Sequence, residues 1–254
     1  MLARVLVTLV LTSLLALTAG CSDSTGGATD GSVAADSGQR ADGGSSADGA
    51  TPTDGSGSLD AALSGCGPGT YPCGPYGSKV GDTIDNLTFK GFFDPNFLCR
   101  GAGAMKPDTA TPREISLGHF FRGDSRCPGS KKKVLWVFVS AGWCHACEQQ
   151  MAQLAPTYNA GQIDPAVEVF NVLFENTPPG TPATEAFAKT YIDHHQGTFP
   201  MAIDPTFKTR VYFPINATPL NFLVDLDTMK IFYAVNGADL QGIGKAIQDH
   251  LAGR

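Results

Sequence analysis

The chain has 254 residues, a formal net charge of −6 and 42% hydrophobic residues, which leaves room for one or two domains. Its 18 basic residues are scattered except for Lys131-Lys132-Lys133. That run is read as a solvated approach to a strand, because nucleic-acid tracking needs a basic stripe interleaved with aromatics. Nucleic acid is therefore excluded as a partner.

At the N-terminus, Arg4 supplies a basic end and Val5 to Leu17 is apolar apart from Thr8, Thr12 and Ser13. The small pair Ala19-Gly20 then precedes Cys21. Sixteen residues separate Arg4 from Cys21, whereas a membrane span needs roughly 20 apolar residues. The segment 1–20 is thus predicted to be a cleaved signal peptide. Leu17-Thr18-Ala19-Gly20-Cys21 resembles the lipobox of bacterial lipoproteins, with Thr18 where that family usually carries Leu. The resemblance implies cleavage before Cys21 and lipidation of its thiol. A free thiol outside the cell would otherwise be liable to oxidation.

Residues 22–58 are almost wholly Gly, Ser, Ala, Thr and Asp, with Arg40 the one basic residue and no aromatic. Such a stretch cannot bury enough apolar surface to fold. Residues 21–60 are read as a lipidated Cys and flexible tether, with an r.m.s. reach on the order of 35 Å. The folded domain is placed at 61–254, and the protein at a bacterial cell envelope, lipid-anchored to the membrane and facing the periplasm or exterior.

Of the seven cysteines, Cys21 is assigned to lipid and the Cys144/Cys147 pair to redox chemistry. The remaining Cys66, Cys73, Cys99 and Cys127 allow three pairings. Cys66–Cys73 with Cys99–Cys127 is favoured as the structural disulfide set, because the Gly-Pro-Gly turn chemistry of 66–73 closes a short loop at little entropic cost. A four-ligand zinc site usually shows two close Cys pairs, which these spacings do not supply.

Further along, Thr83 to Phe89 and Lys133 to Ala141 have strand character, and Val134 to Val139 is a continuous apolar run suited to burial on both faces. Residues 90–127 are mostly loop chemistry, with a short amphipathic stretch from Ile115 to Phe121. His145 to Tyr158 follows helical spacing, then Val167 to Phe174 reads as a strand and Thr184 to His195 as a helix. Phe199 to Ile203 and a short segment near Phe207 to Phe213 come next. Leu220 to Val224 and Lys230 to Val235 form a hairpin, and Ala238 to Leu251 closes the chain as a helix. The order is β-α-β-α-β-β-α.

The run Trp143-Cys144-His145-Ala146-Cys147 falls where the apolar strand hands over to a helix. A Cys at a helix N-terminus is stabilised as a thiolate by unpaired backbone N–H groups and the helix dipole. A second Cys three residues on can reach back to resolve a mixed disulfide. Cys144 is therefore the expected nucleophile and Cys147 its partner. His145 would favour the thiolate when protonated.

With Ala217-Thr218-Pro219-Leu220-Asn221-Phe222-Leu223-Val224-Asp225, that run resembles the thioredoxin superfamily, in particular its exported TlpA/ResA-like, redoxin-type branch, over residues 80–254. The resemblance implies an α/β thioredoxin-like fold: a central mixed β-sheet flanked by helices, here with an N-terminal extension. It also implies a cis Pro219 beside the Cys pair, with Thr218 and Pro219 offering backbone to an extended substrate and Trp143 in support. The activity implied is thiol–disulfide exchange with extracytoplasmic protein thiols and disulfides and with a redox partner. No cofactor is called for beyond the redox-active disulfide.

Two departures from the family stand out. Thioredoxins commonly place an acid six residues before the first Cys, where this chain has Phe138, and ResA-like proteins place a Glu three after the second, where it has Gln150. Glu148 is nearby and expected to be solvated. Peroxiredoxins carry a Pro-x3-Thr-x2-Cys pattern, but Ala141 stands three before Cys144. A Sco-like copper-handling lipoprotein, using two Cys and His194 or His195, is the alternative outside enzymes, beside a binding-only module. Sco-like pairs are usually spaced by three residues, and Asp193-His194-His195 is read as a polar helix end. No metal ligand is assigned.

Overall fold

The computed structural model describes residues 70–94, 97, 106–121, 130–213 and 217–254. The signal-like segment, Cys21, the tether, Cys66, Cys99 and Cys127 lie outside the described residues, and Cys73 is disulfide-bonded.

The apolar run of the sequence is the middle of the fold. Strand β3 (Val134–Ala141) is buried along its whole length. It lies between β4 (Val167–Glu175), parallel to it, and β6 (Leu220–Asp225), antiparallel. The sheet runs β2-β1-β5-β4-β3-β6-β7, with β1 (Thr88–Phe92), β2 (Arg113–Ser116), β5 (Met201–Ile203) and β7 (Lys230–Asn236) completing it. Helix α1 (His145–Asn159) follows β3, α2 (Glu185–His195) follows β4 and α3 (Leu240–Leu251) follows β7.

From β3 onward this is the mixed-sheet, thioredoxin-like order anticipated from sequence, with β5 inserted between α2 and the β6–β7 hairpin. Helices begin where short polar side chains satisfy their first N–H groups. Thr184 caps α2 through Phe187 N, and Asp239 caps α3 through Gly242 N.

Three expectations are corrected. Thr83 makes only isolated bridges to Tyr76 and Lys230, and the first strand starts at Thr88. The chain turns at 85–87, where Leu87 N donates to Asp85 O and the Asn86 side chain accepts from Gly118 N. Within 90–127, Arg113–Ser116 is a true strand on β1, followed by a 3₁₀ turn at Leu117–Phe120. At Gly91 a Cβ would meet Met201 O at 2.5 Å, so the close approach of β5 to β1 requires glycine.

The third correction concerns the lysine run, since Lys132 is not solvated. Its ammonium lies 3.0 Å from Glu168 Oε2 and donates to Val167 O at 2.7 Å, with the Lys132 side chain 5% exposed. Tyr158 on α1 donates to Glu168 Oε1 at 2.8 Å. Strand alternation just before β3 turns the middle lysine inward while Lys131 and Lys133 face water.

Candidate active site

A bulge between Ser140 and Ala141 shifts the β3–β4 register before the last pair, Ala141 with Glu175, and Gly142 N donates to Glu175 O at 2.9 Å. The chain then turns through Gly142 and Trp143 into α1, so that Cys144 is the N-cap residue. Its Sγ accepts from Cys147 N at 3.1 Å. Cys144 and Cys147 are joined in a disulfide. Cys147 is fully enclosed, and Cys144 keeps a small exposed fraction, 4%.

Facing this turn is the segment before β6. The β3–β6 register pairs Val139 with Leu220 and Phe138 with Asn221, which carries Thr218-Pro219 to the end of the sheet where β3 gives way to the Cys turn. The Thr218–Pro219 peptide bond is cis. Trp143 and Thr218 share the wall of one cavity of about 230 Å³, also lined by Phe174, Glu175, Phe207 and Arg210. Trp143 is 38% exposed, donates from Nε1 to Glu175 Oε2 at 2.5 Å and meets Phe174 edge-on. Phe174 stacks on Phe207 at 4.0 Å between centroids. The cavity is thus walled mainly by aromatic rings, with Glu175 and Arg210 as its charged members.

The two positions where the resemblance implied an acid hold Phe138 and Gln150. Gln150 is fully buried, one helical turn after Cys147. It exchanges hydrogen bonds with Asn221, whose Oδ1 also accepts from Trp136 Nε1 at 2.8 Å. Phe138 is buried in the core. His145 is exposed, with its ring 3.1 Å from the Gln149 amide and no described bond to either sulfur.

Glu148 stays in contact with solvent, its side chain 35% exposed, and is also paired. Its Oε2 lies 3.0 Å from His195 Nε2, and the His195 side chain is itself mostly enclosed. The loss of solvation holds the His195 pKa below its ordinary value, against the pull of Glu148. Asp193 is engaged by Lys106 at 2.6 Å.

Sequence reasoning had named Trp143, Cys144, His145, Cys147, Thr218 and Pro219: Trp143 and Thr218 line one cavity, Cys144 and Cys147 are bonded at the turn that follows Trp143, Pro219 forms the cis bond after Thr218, and His145 turns to Gln149. It missed Glu175, Phe207, Arg210 and Asn221. Asn221 carried a legible signal as the one polar residue in Leu220-Asn221-Phe222-Leu223-Val224; the others sit on segments whose approach to the site depends on tertiary packing.

No family model and no curated protein matches the chain by sequence. Among solved structures, it is similar to a putative thiol:disulfide interchange protein DsbE from Chlorobium tepidum. The identity is 19% over 68% of this chain and 96% of that one, with a TM-score of 0.44. AhpC from Mycobacterium tuberculosis gives 12% identity over 69% and 94%, with a TM-score of 0.48. StoA from Bacillus subtilis gives 17% over 54% and 90%, with a TM-score of 0.39.

Proposed function

We propose that the protein is a thiol–disulfide oxidoreductase that exchanges a disulfide with extracytoplasmic proteins through Cys144 and Cys147. The observation that carries this reading is the Cys144–Cys147 disulfide closed across the first turn of α1, with Cys144 as the N-cap. In the reducing direction, the Cys144 thiolate attacks a sulfur of the partner disulfide. A mixed disulfide forms and the partner's other sulfur leaves as a thiolate that takes up a proton. Cys147, deprotonated, then attacks Cys144 Sγ, closing the internal disulfide and releasing the second partner thiol. Two electrons pass from the dithiol to the partner, and the reverse sequence oxidises a partner dithiol. The direction follows the potential of the pair against its partner's.

Cys144 is the nucleophile in this scheme because the N-terminal N–H groups of α1 favour its thiolate, as Cys147 N already points at its sulfur. Thr218 and Pro219 receive the partner's extended backbone, while Trp143 and the aromatic cavity receive one of its side chains. The exchange uses no cofactor beyond the disulfide. Export by 1–20, lipidation at Cys21 and the 21–60 tether would hold the domain at the envelope. Two of Cys66, Cys73, Cys99 and Cys127 would staple each structural bridge.

Insulin reduction tests the assignment. Cys144→Ser is expected to abolish turnover, and Cys147→Ser to trap mixed disulfides that dithiothreitol releases. Full activity in both variants would overturn it. Metabolic labelling with a tritiated fatty acid, lost in Cys21→Ala, tests the anchor separately.

A further inference from the structure

The outer face of the α1–α2 junction carries a second cluster of chemistry-bearing groups that the exchange reaction does not use. Glu148 from α1 and His194 and His195 from the last turn of α2 bring three ligand atoms within 4.8 Å of one another. His195 Nε2 stands 3.0 Å from Glu148 Oε2. A first-row dication with bonds of about 2.0–2.2 Å to nitrogen and oxygen holds neighbouring donors roughly 3 Å apart, so this pair is already at ligand spacing. The rings of His194 and His195 lie 4.7 Å apart at 80°, crossed and not stacked.

The surroundings favour a cation and admit one. The three residues line an open groove of about 540 Å³ with Gln149, Asn159 and Gln196, which gives an entrance and room for water in the remaining coordination positions. Helix α2 ends at this point, and its terminal carbonyls direct partial negative charge toward the cluster. Two imidazoles and one carboxylate match zinc-class ions, whereas magnesium and calcium sites are built from oxygen.

We propose that Glu148, His194 and His195 form a binding site for a divalent transition-metal ion of the zinc class, completed by water. Neither Cys144 nor Cys147 belongs to it, so it differs from a copper site built on the cysteine pair and stands whether or not the exchange function does.

Titration of the full-length, oxidised protein with Zn²⁺ by calorimetry tests this, because the closed disulfide cannot ligate. One equivalent is expected to bind. His194→Ala, a change at an exposed ring that leaves the core intact, and Glu148→Gln are each expected to weaken binding by at least about tenfold, the scale on which even outer-shell partners act. Gln149→Ala in the same groove is expected to leave it unchanged. Co²⁺ in place of Zn²⁺ should give visible d–d bands that His194→Ala removes. Absence of a one-equivalent site, or native affinity in either His194→Ala or Glu148→Gln, overturns the proposal.

Discussion

Gln150 donates to Asn221 Oδ1 at 2.6 Å, and Asn221 returns a bond to Gln150 Oε1 at 3.0 Å, closing an amide pair under the helix that carries Cys144 and Cys147. Both side chains are fully buried, and Asn221 also donates to Gly237 O. Neither amide titrates, so the pair braces α1 against β6 without exchanging a proton.

Gln150→Glu therefore places a titrating group where the native protein has none. Burial would push that carboxyl above the usual value of about 4.3. The expected outcome is a new inflection above that pH in the alkylation rate of the reduced protein, absent from the native profile. Superimposable profiles for the two proteins would separate Gln150 from the thiol chemistry.

The sheet's centre and its redox turn were legible because each is a local signal: Val134 to Val139 is continuous and apolar, and Cys-x2-Cys sits at its end. The β1–β2 pairing was not, because Arg113–Ser116 becomes strand only through contact with β1, whose Gly91 is in turn paired to β5 on its other side. Lys132 was misjudged, and the partner of the partly exposed Glu148 went unforeseen, for a common reason. Each is charged and locally reads as surface, yet each meets a partner distant in sequence, Glu168 and His195 respectively. Periodicity can say which way such a side chain points but not what awaits it.

The Lys132–Glu168 pair should behave as a buried ion pair. Burial pushes the Glu168 carboxyl up, and Lys132 and the Tyr158 hydroxyl oppose that rise. Removing one partner leaves the other's charge or polar group enclosed, so Lys132→Ala is expected to cost about 3–5 kcal/mol in urea unfolding. The Lys132→Met/Glu168→Leu double variant is expected to recover most of this loss, since paired apolar groups of similar volume are often neutral in such sites. Additive losses from the two positions would show that the pair is not coupled.

Asp225 gives the fold an acid-side dependence. Burial works to raise its pKa, but the Thr228 hydroxyl and backbone N–H, together with His250, hold it below the usual carboxylate value. A carboxylate whose folded pKa is depressed contributes stability that is present above its unfolded value of about 3.9 and lost as pH falls through the folded one. Asp225→Asn is accordingly expected to lower the melting temperature near neutrality and to flatten its decline below about pH 4. Parallel native and variant curves across that window would remove Asp225 from the acid response. The contact at stake ties the end of β6 to α3, where His250 lies 2.8 Å from Asp225 Oδ2.

Gly142 sets the approach of the chain to Cys144. A Cβ there would stand 2.3 Å from Phe187 Cζ and 3.1 Å from the Asn176 carbonyl carbon, both inside the ~3.5–4.0 Å at which carbon atoms pack. The backbone has little freedom to yield, because Gly142 N is bonded to Glu175 O and Glu175 also holds Trp143. Gly142→Ala is expected to cost about 1–3 kcal/mol as an overpacked site. It should also slow insulin reduction roughly tenfold or more, since small misplacements at a reacting centre act on rate on that scale. Phe187→Ala added to Gly142→Ala removes the nearer obstacle and should restore much of the activity while leaving a stability deficit from the lost ring. If the double variant regains stability but not activity, the turn's geometry is not what limits exchange, and Gly142 serves packing alone.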